Sequence, residues 1–242
     1  MMKIHVYKDP ETLARKLAAW MADLIRDTLR NQEFFTLALS GGETPKILFR
    51  ELAIRYTEKI PWKRIQLFWG DERVVPFSDE RSNAHAAFEL LIHQVDIPLN
   101  QVHLMRTDIE PVFAAQEYEK MLKPFFDHTL QSFDLVLLGL GDDGHTLSLF
   151  PGSALLENTT GWVSEAYHPV QKMYRITLLP ALVNRAGHIA FMVDGEKKAS
   201  VISKVIEGKY APAKYPAQLI KPANGELHFF LDEAAASKLK KS

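Results

Sequence analysis

Two rhythms of apolar positions run along the chain. Phe34–Leu39, Ile65–Trp69 and Phe133–Leu138 are short, near-continuous apolar runs, the pattern of strands covered on both faces in a parallel sheet. Between Pro10 and Arg30, Leu13, Leu17, Trp20, Met21, Leu24 and Leu29 recur at helical spacing and predict an amphipathic helix. The same reasoning predicts strands at Lys3–Tyr7, Val102–Leu104, Tyr174–Leu178, Ile189–Val193 and Leu227–Leu231. Further helices are predicted from a Thr44 cap with Pro45 at its first position to about Tyr56, and from a cap near Ser82. Others should cover about 112–126 and 197–207, with an Ala-rich C-terminal helix capped by Asp232. Tyr210 to Pro222 reads as an irregular connection, and the order between Pro151 and Tyr174 does not follow from the pattern.

Alternation of strand and helix along nearly the whole length predicts one doubly wound α/β domain spanning 1–242, with a mostly parallel sheet. Polar loops after Leu39, Trp69, Leu138 and Val193 should then share one edge. In open α/β sheets that edge, at the strands' C-terminal ends, is where ligands bind.

Composition narrows the function. Over 242 residues, Lys plus Arg (29) balance Asp plus Glu (30) for a net charge of -1. No basic excess favours a nucleic acid or an anionic membrane as partner. The absence of cysteine excludes disulfides, thiolate metal sites and a Cys nucleophile, and it fits a reducing cytoplasmic setting. No apolar segment reaches the ~18 residues of a transmembrane span, and the N-terminus lacks a signal-peptide core.

The four loops carry the chemistry. Ser40-Gly41-Gly42-Glu43-Thr44-Pro45 joins a strand to a helix. Its glycines can turn main-chain N–H groups toward one point, beside the positive end of the helix dipole, which suits a phosphate. Glu43 fits that reading only if its side chain points to solvent. A serine nucleophile at Ser40 is a weaker alternative, because Ala38 replaces the first glycine of G-x-S-x-G and the turn is too long for a tight elbow. Gly139-Leu140-Gly141-Asp142-Asp143-Gly144 matches the dinucleotide fingerprint literally. Two carboxylates at the pyrophosphate position and Pro151 soon after argue against a dinucleotide. The glycines are better read as shaping a loop that displays Asp143 and His145, the latter suited to act as a base near neutral pH. No metal-ligand spacing surrounds His145. In Asp71-Glu72-Arg73, the arginine could hold an oxyanion or a carboxylate. Lys197 and Lys198 open a helix where cations oppose the dipole, as they would if one faced an anion, and Arg175 inside a strand needs a partner.

Taken together, Ser40-Gly41-Gly42-x-Thr44-Pro45, Gly70-Asp71-Glu72-Arg73-x-Val75-Pro76 and the run from Gly139 to Pro151 resemble the 6-phosphogluconolactonase family. Arg175-Ile176-Thr177-Leu178, Gly195-x-x-Lys198-Ala199 and Tyr215-Pro216-Ala217 fit the same pattern in the same order. The resemblance implies a Rossmann-like fold shared with glucosamine-6-phosphate deaminases and ribose-5-phosphate isomerases. It also implies a cytoplasmic hydrolase of a sugar-phosphate lactone, needing no metal or organic cofactor, as a monomer or small homo-oligomer. By motif match, His145 is the base, Asp143 or Asp71 orients it, and Arg73 stabilises the oxyanion. Ser40, Gly41, Gly42, Thr44, Arg175 and Lys198 form the phosphate clamp. Glu43 and Asp142 depart from the family's usual residues. Deaminases of the related branch tend to read Asp-Glu-Tyr and Phe-Asn-Glu-Pro where this chain has Arg73 and Phe150-Pro151, which favours the lactonase over a deaminase. A non-catalytic sugar-phosphate-binding protein is the alternative of a different class.

Overall fold

A computed structural model of the protein describes residues 2–240. Nine strands and seven helices follow one another as β1 (Met2–Tyr7), α1 (Pro10–Thr28), β2 (Phe35–Leu39), α2 (Glu43–Arg55), β3 (Ile65–Trp69), β4 (Asp71–Arg73), α3 (Asn83–Leu90), α4 (Pro111–Phe126), β5 (Leu135–Leu138), β6 (Val163–His168), β7 (Met173–Leu178), α5 (Pro180–Val183), β8 (His188–Val193), α6 (Ala199–Glu207), β9 (Glu226–Asp232) and α7 (Glu233–Ala236). Six strands form the main sheet in the order β1-β9-β8-β5-β2-β3, and every pairing between them is parallel. The expected parallel α/β architecture is therefore present.

The helices form for local reasons. Asp9 caps α1 by accepting from the Thr12 N–H at 2.7 Å, with Pro10 at the first position. Leu13, Leu17, Met21 and Ile25 then bury one face of that helix. Ser82 caps α3 and Asp232 caps α7, as the sequence predicts. The central strands are almost wholly apolar, and β5 is buried at every position.

Strand order reverses between β2 and β5. The chain steps from β2 outward to β3 on one side, and from β5 outward through β8 to β9 on the other, where the first strand, β1, closes the edge beside β9. Chains leaving the C-terminal ends of β2 and β5 must diverge there, which opens a crevice. Gly139, just past β5, lies beside Ser40, just past β2.

Four expectations change. Helix α2 starts at Glu43 with Gly42 as its cap, so Thr44 lies inside the first turn and does not cap it. Val102–Leu104 makes only an isolated bridge from Val102 to Leu67. Asp71–Arg73 is not a loop: it forms β4 of a small antiparallel sheet, β4-β7-β6, standing beside the main sheet's C-terminal edge. Lys198 ends a 3-10 turn, Glu196–Lys198, that leads into α6. No described helix is long and apolar enough to cross a membrane.

Candidate active site

Loops from both sheets surround a cavity of about 380 Å³ at the switch point. Ser40, Gly41, Gly42 and Thr44 form one wall, and Asp71 and Arg73 from β4 another. His145, Arg175 and Lys198 also line it, so the predicted residues meet in one place. Asp143 is held against that lining by its contact with His145.

The glycine loop after β5 exists to hold a histidine. His145 Nδ1 lies 2.6 Å from Asp143 Oδ1, and its main-chain N–H donates to the same oxygen at 3.0 Å. Gly141 permits this: a Cβ there would come within 2.0 Å of His145 Nδ1. The Gly141 N–H also donates to His145 O at 2.8 Å, and Thr146 Oγ1 to Gly139 O at 2.8 Å, which fixes the loop. The hydrogen bond from His145 draws the Asp143 carboxyl down to about 2. Asp143 is thus an anion at neutral pH and accepts a proton-bearing Nδ1. Nε2 is left as the nitrogen with a vacant lone pair.

The charged triplet separates by strand alternation. Asp71 and Arg73 line the cavity, while Glu72 points the other way. Glu72 is buried and accepts from the N–H groups of Arg73 (2.7 Å), Asn83 (2.8 Å) and Ala84 (2.7 Å) and from Ser82 Oγ at 3.1 Å. Burial raises its carboxyl above the ordinary value, and the three main-chain donors oppose that rise. Its role is to tie β4 to the start of α3.

Asp71 is not bonded to His145. Its Oδ2 accepts from Ser148 Oγ at 2.6 Å and lies 3.4 Å from Arg175 Nη1. Arg175, also buried, donates through Nη2 to Gln171 Oε1 at 2.7 Å. Its guanidinium lies 5.5 Å from the centre of the Phe150 ring. Arg73 Nη1 donates to Arg81 O at 2.6 Å and to Asn83 Oδ1 at 3.3 Å, which holds it at the rim.

The Ser40–Thr44 wall is shaped by its glycines. Gly42 adopts φ 106, a left-handed conformation that favours glycine, and it delivers the chain into α2. Glu43 is 87% exposed and pairs with Lys46 at 2.6 Å, so its carboxylate points to solvent. Thr44 Oγ1 donates to Asp194, tying the loop after β2 to that after β8. Lys198 Nζ is paired with Asp142 Oδ1 at 2.5 Å.

Sequence reasoning missed Asn83, Gln171 and His168 in the lining, and the part Ser148 plays behind it. Ser148 lies within the Gly139–Pro151 run, and only its contact with Asp71 reveals what it does. Gln171 and His168 lie on the β6–β7 hairpin, whose half-exposed strand has no apolar rhythm. Burial, with Arg175 and His145 nearby, lowers the His168 imidazole below its ordinary value.

The fold and the site define a parallel α/β protein with a histidine–carboxylate pair facing a glycine-rich loop at a helix start across the switch point. Residues 8–229 match the family described as glucosamine-6-phosphate isomerases/6-phosphogluconolactonase, and the chain belongs to that family. It is 40% identical over 209 residues to a 6-phosphogluconolactonase of Synechocystis sp., covering 85% of each chain. The solved structure of 6-phosphogluconolactonase from Trypanosoma brucei superposes with a TM-score of 0.86 at 29% identity, over 99% of both chains. A monomeric glucosamine-6-phosphate deaminase shares the fold, with a TM-score of 0.83 at 19% identity over 98% of this chain and 100% of its own.

Proposed function

We propose that this protein hydrolyses 6-phospho-D-glucono-1,5-lactone to 6-phospho-D-gluconate, the lactone-opening step of the oxidative pentose phosphate pathway, in the cytosol. The observation that carries the proposal is the 2.6 Å His145–Asp143 pair beside a cavity furnished with Arg73, Arg175 and Lys198. Related proteins bearing the lactonase name support the choice of substrate.

In the proposed reaction, His145 Nε2 takes a proton from water as the water oxygen bonds to the lactone carbonyl carbon. Asp143 holds the ring in the required tautomer and stabilises the imidazolium that forms. The carbonyl electron pair moves onto oxygen, where the Arg73 guanidinium offsets the charge. Collapse breaks the bond to the ring oxygen, which leaves with the proton returned from His145. The new carboxylic acid then loses one proton to solvent. The phosphate serves as the handle, held by the Ser40–Thr44 main chain at the start of α2 and by Arg175 and Lys198. Asp71, bonded to Ser148 and Arg175, positions the arginine. None of these steps calls on a metal or organic cofactor.

Acid release from freshly prepared phosphogluconolactone, followed in a pH-stat, tests the proposal. Turnover well above spontaneous hydrolysis, with no ammonia from glucosamine 6-phosphate, is the expected result. Lactone decay at the background rate would leave a sugar-phosphate binder, and ammonia release would make the protein a deaminase.

A further inference from the structure

The opposite edge of the main sheet carries a second group of titratable side chains, unused by the chemistry above. His188 opens β8, while Glu226 and His228 lie at the start of β9, and the ladder pairs His188 directly with Glu226. Glu226 Oε2 lies 3.7 Å from His188 Nδ1 and 3.1 Å from His228 Nε2. One ligand atom from each residue lies within 4.8 Å of the other two. At ~3.3 Å per residue, the length of β8 separates this group from the cavity by roughly 16 Å.

Several features distinguish it from an ordinary hydrogen-bonded cluster. Tetrahedral zinc holds imidazole nitrogen and carboxylate oxygen at ~2.0–2.2 Å, which spaces its ligand atoms ~3.3 Å apart. The two separations between Glu226 and the histidines bracket that value. His188 Nδ1 is buried and has no hydrogen-bond partner, a deficit that a metal bond would remove. His228 Nδ1 faces His5 Nε2 at 3.2 Å, so His228 can donate outward through Nδ1 while its Nε2 lone pair turns inward. That is how an outer partner fixes a metal-bound imidazole. The Trp20 ring closes one side, 4.7 Å from His228 and 5.8 Å from His188. Lys3 Nζ competes for the carboxylate, at 2.8 and 2.9 Å from its two oxygens, but its side chain is 42% exposed and free to swing clear.

We infer that His188, Glu226 and His228 form a binding site for a divalent transition ion with the ligand preference of zinc, leaving a fourth position for water. The ion would cross-link β8 and β9 at the end remote from the cavity, so its effect falls on stability and not on turnover.

Zinc titration of the tag-free full chain, stripped beforehand with EDTA, tests this by calorimetry and thermal unfolding. The wild type should bind one equivalent and melt at a higher temperature. His188→Ala and Glu226→Gln should each weaken binding at least ~10-fold, the smaller cost of losing even an outer-shell partner. Both should keep wild-type lactone hydrolysis, and His145→Ala should keep the zinc. Glu226→Gln preserves side-chain volume at a partly exposed position, so it serves if His188→Ala fails to fold. Failure of the wild type to hold zinc would overturn the inference. So would loss of zinc in His145→Ala with retention in His188→Ala, which would assign the ion to the cavity.

Discussion

Replacing Asp143 with asparagine isolates what the carboxylate does for His145. The two side chains have nearly the same shape, so the loop held by Gly141 and Thr146 should persist. The His145 hydrogen bond draws the Asp143 carboxyl from an ordinary 3.8 to about 2. At ~1.4 kcal/mol per tenfold, that corresponds to roughly 2 kcal/mol without screening, and exposure of half the side chain reduces it to about 1 kcal/mol. Because the folded-state value is depressed, this contribution is present above the unfolded value near 4 and is lost only as pH falls toward 2. It is complete at any neutral assay pH. Asp143→Asn should therefore lower the melting temperature by only about 2–4 °C for a chain of this length. The effect on turnover should be much larger. An amide can offer N–H to Nδ1, which places the imidazole proton on Nε2, where the base must be vacant. Most of the ~10²–10⁴-fold contribution of a positioned base is then lost. Initial rates on fresh lactone, corrected for spontaneous decay, measure it. A kcat within threefold of wild type, in a variant that melts normally, would refute this account of the pair.

Four further substitutions probe the rest of the site. Gly141→Ala places a methyl 2.0 Å from His145 Nδ1 and should displace the ring, cutting kcat by more than tenfold while circular dichroism stays native. Lys198→Ala should raise KM with little change in kcat. Arg175→Ala should raise KM and also destabilise by ~1–3 kcal/mol in denaturant titration, because buried Asp71 loses its cationic partner. Asp142→Ala frees Lys198 from its 2.5 Å ion pair and removes a carboxylate near the phosphate position, so it should lower KM, most visibly at low ionic strength.

Much of the site was legible because its residues cluster at the ends of strongly apolar strands. The run before Gly139 marks β5, and the glycines after it announce a loop built for close approach. What the loop approaches, the His145 ring, needs coordinates to see. The Asp71-Glu72-Arg73 triplet shows the limit of pattern reading. Three consecutive charges look like a solvated turn, yet strand pairing with β7 sends Glu72 inward to the start of α3 and its neighbours into the cavity. The partner of His145 was open between Asp143 and Asp71, since both lie near glycines at strand ends. Ser148 and Arg175, distant in sequence, occupy Asp71 and leave Asp143 to the histidine. Gln171 and His168 gave no signal, because a half-exposed hairpin needs no apolar periodicity to pair.

The central claim is that His145 draws the proton from the attacking water while the phosphate is held independently of it. Acid release by His145→Ala on fresh phosphogluconolactone, paired with calorimetric binding of 6-phosphogluconate to the same variant, tests that claim most directly. The account predicts turnover close to the spontaneous rate with product binding within a few-fold of wild type. Near-wild-type turnover in the variant would contradict it.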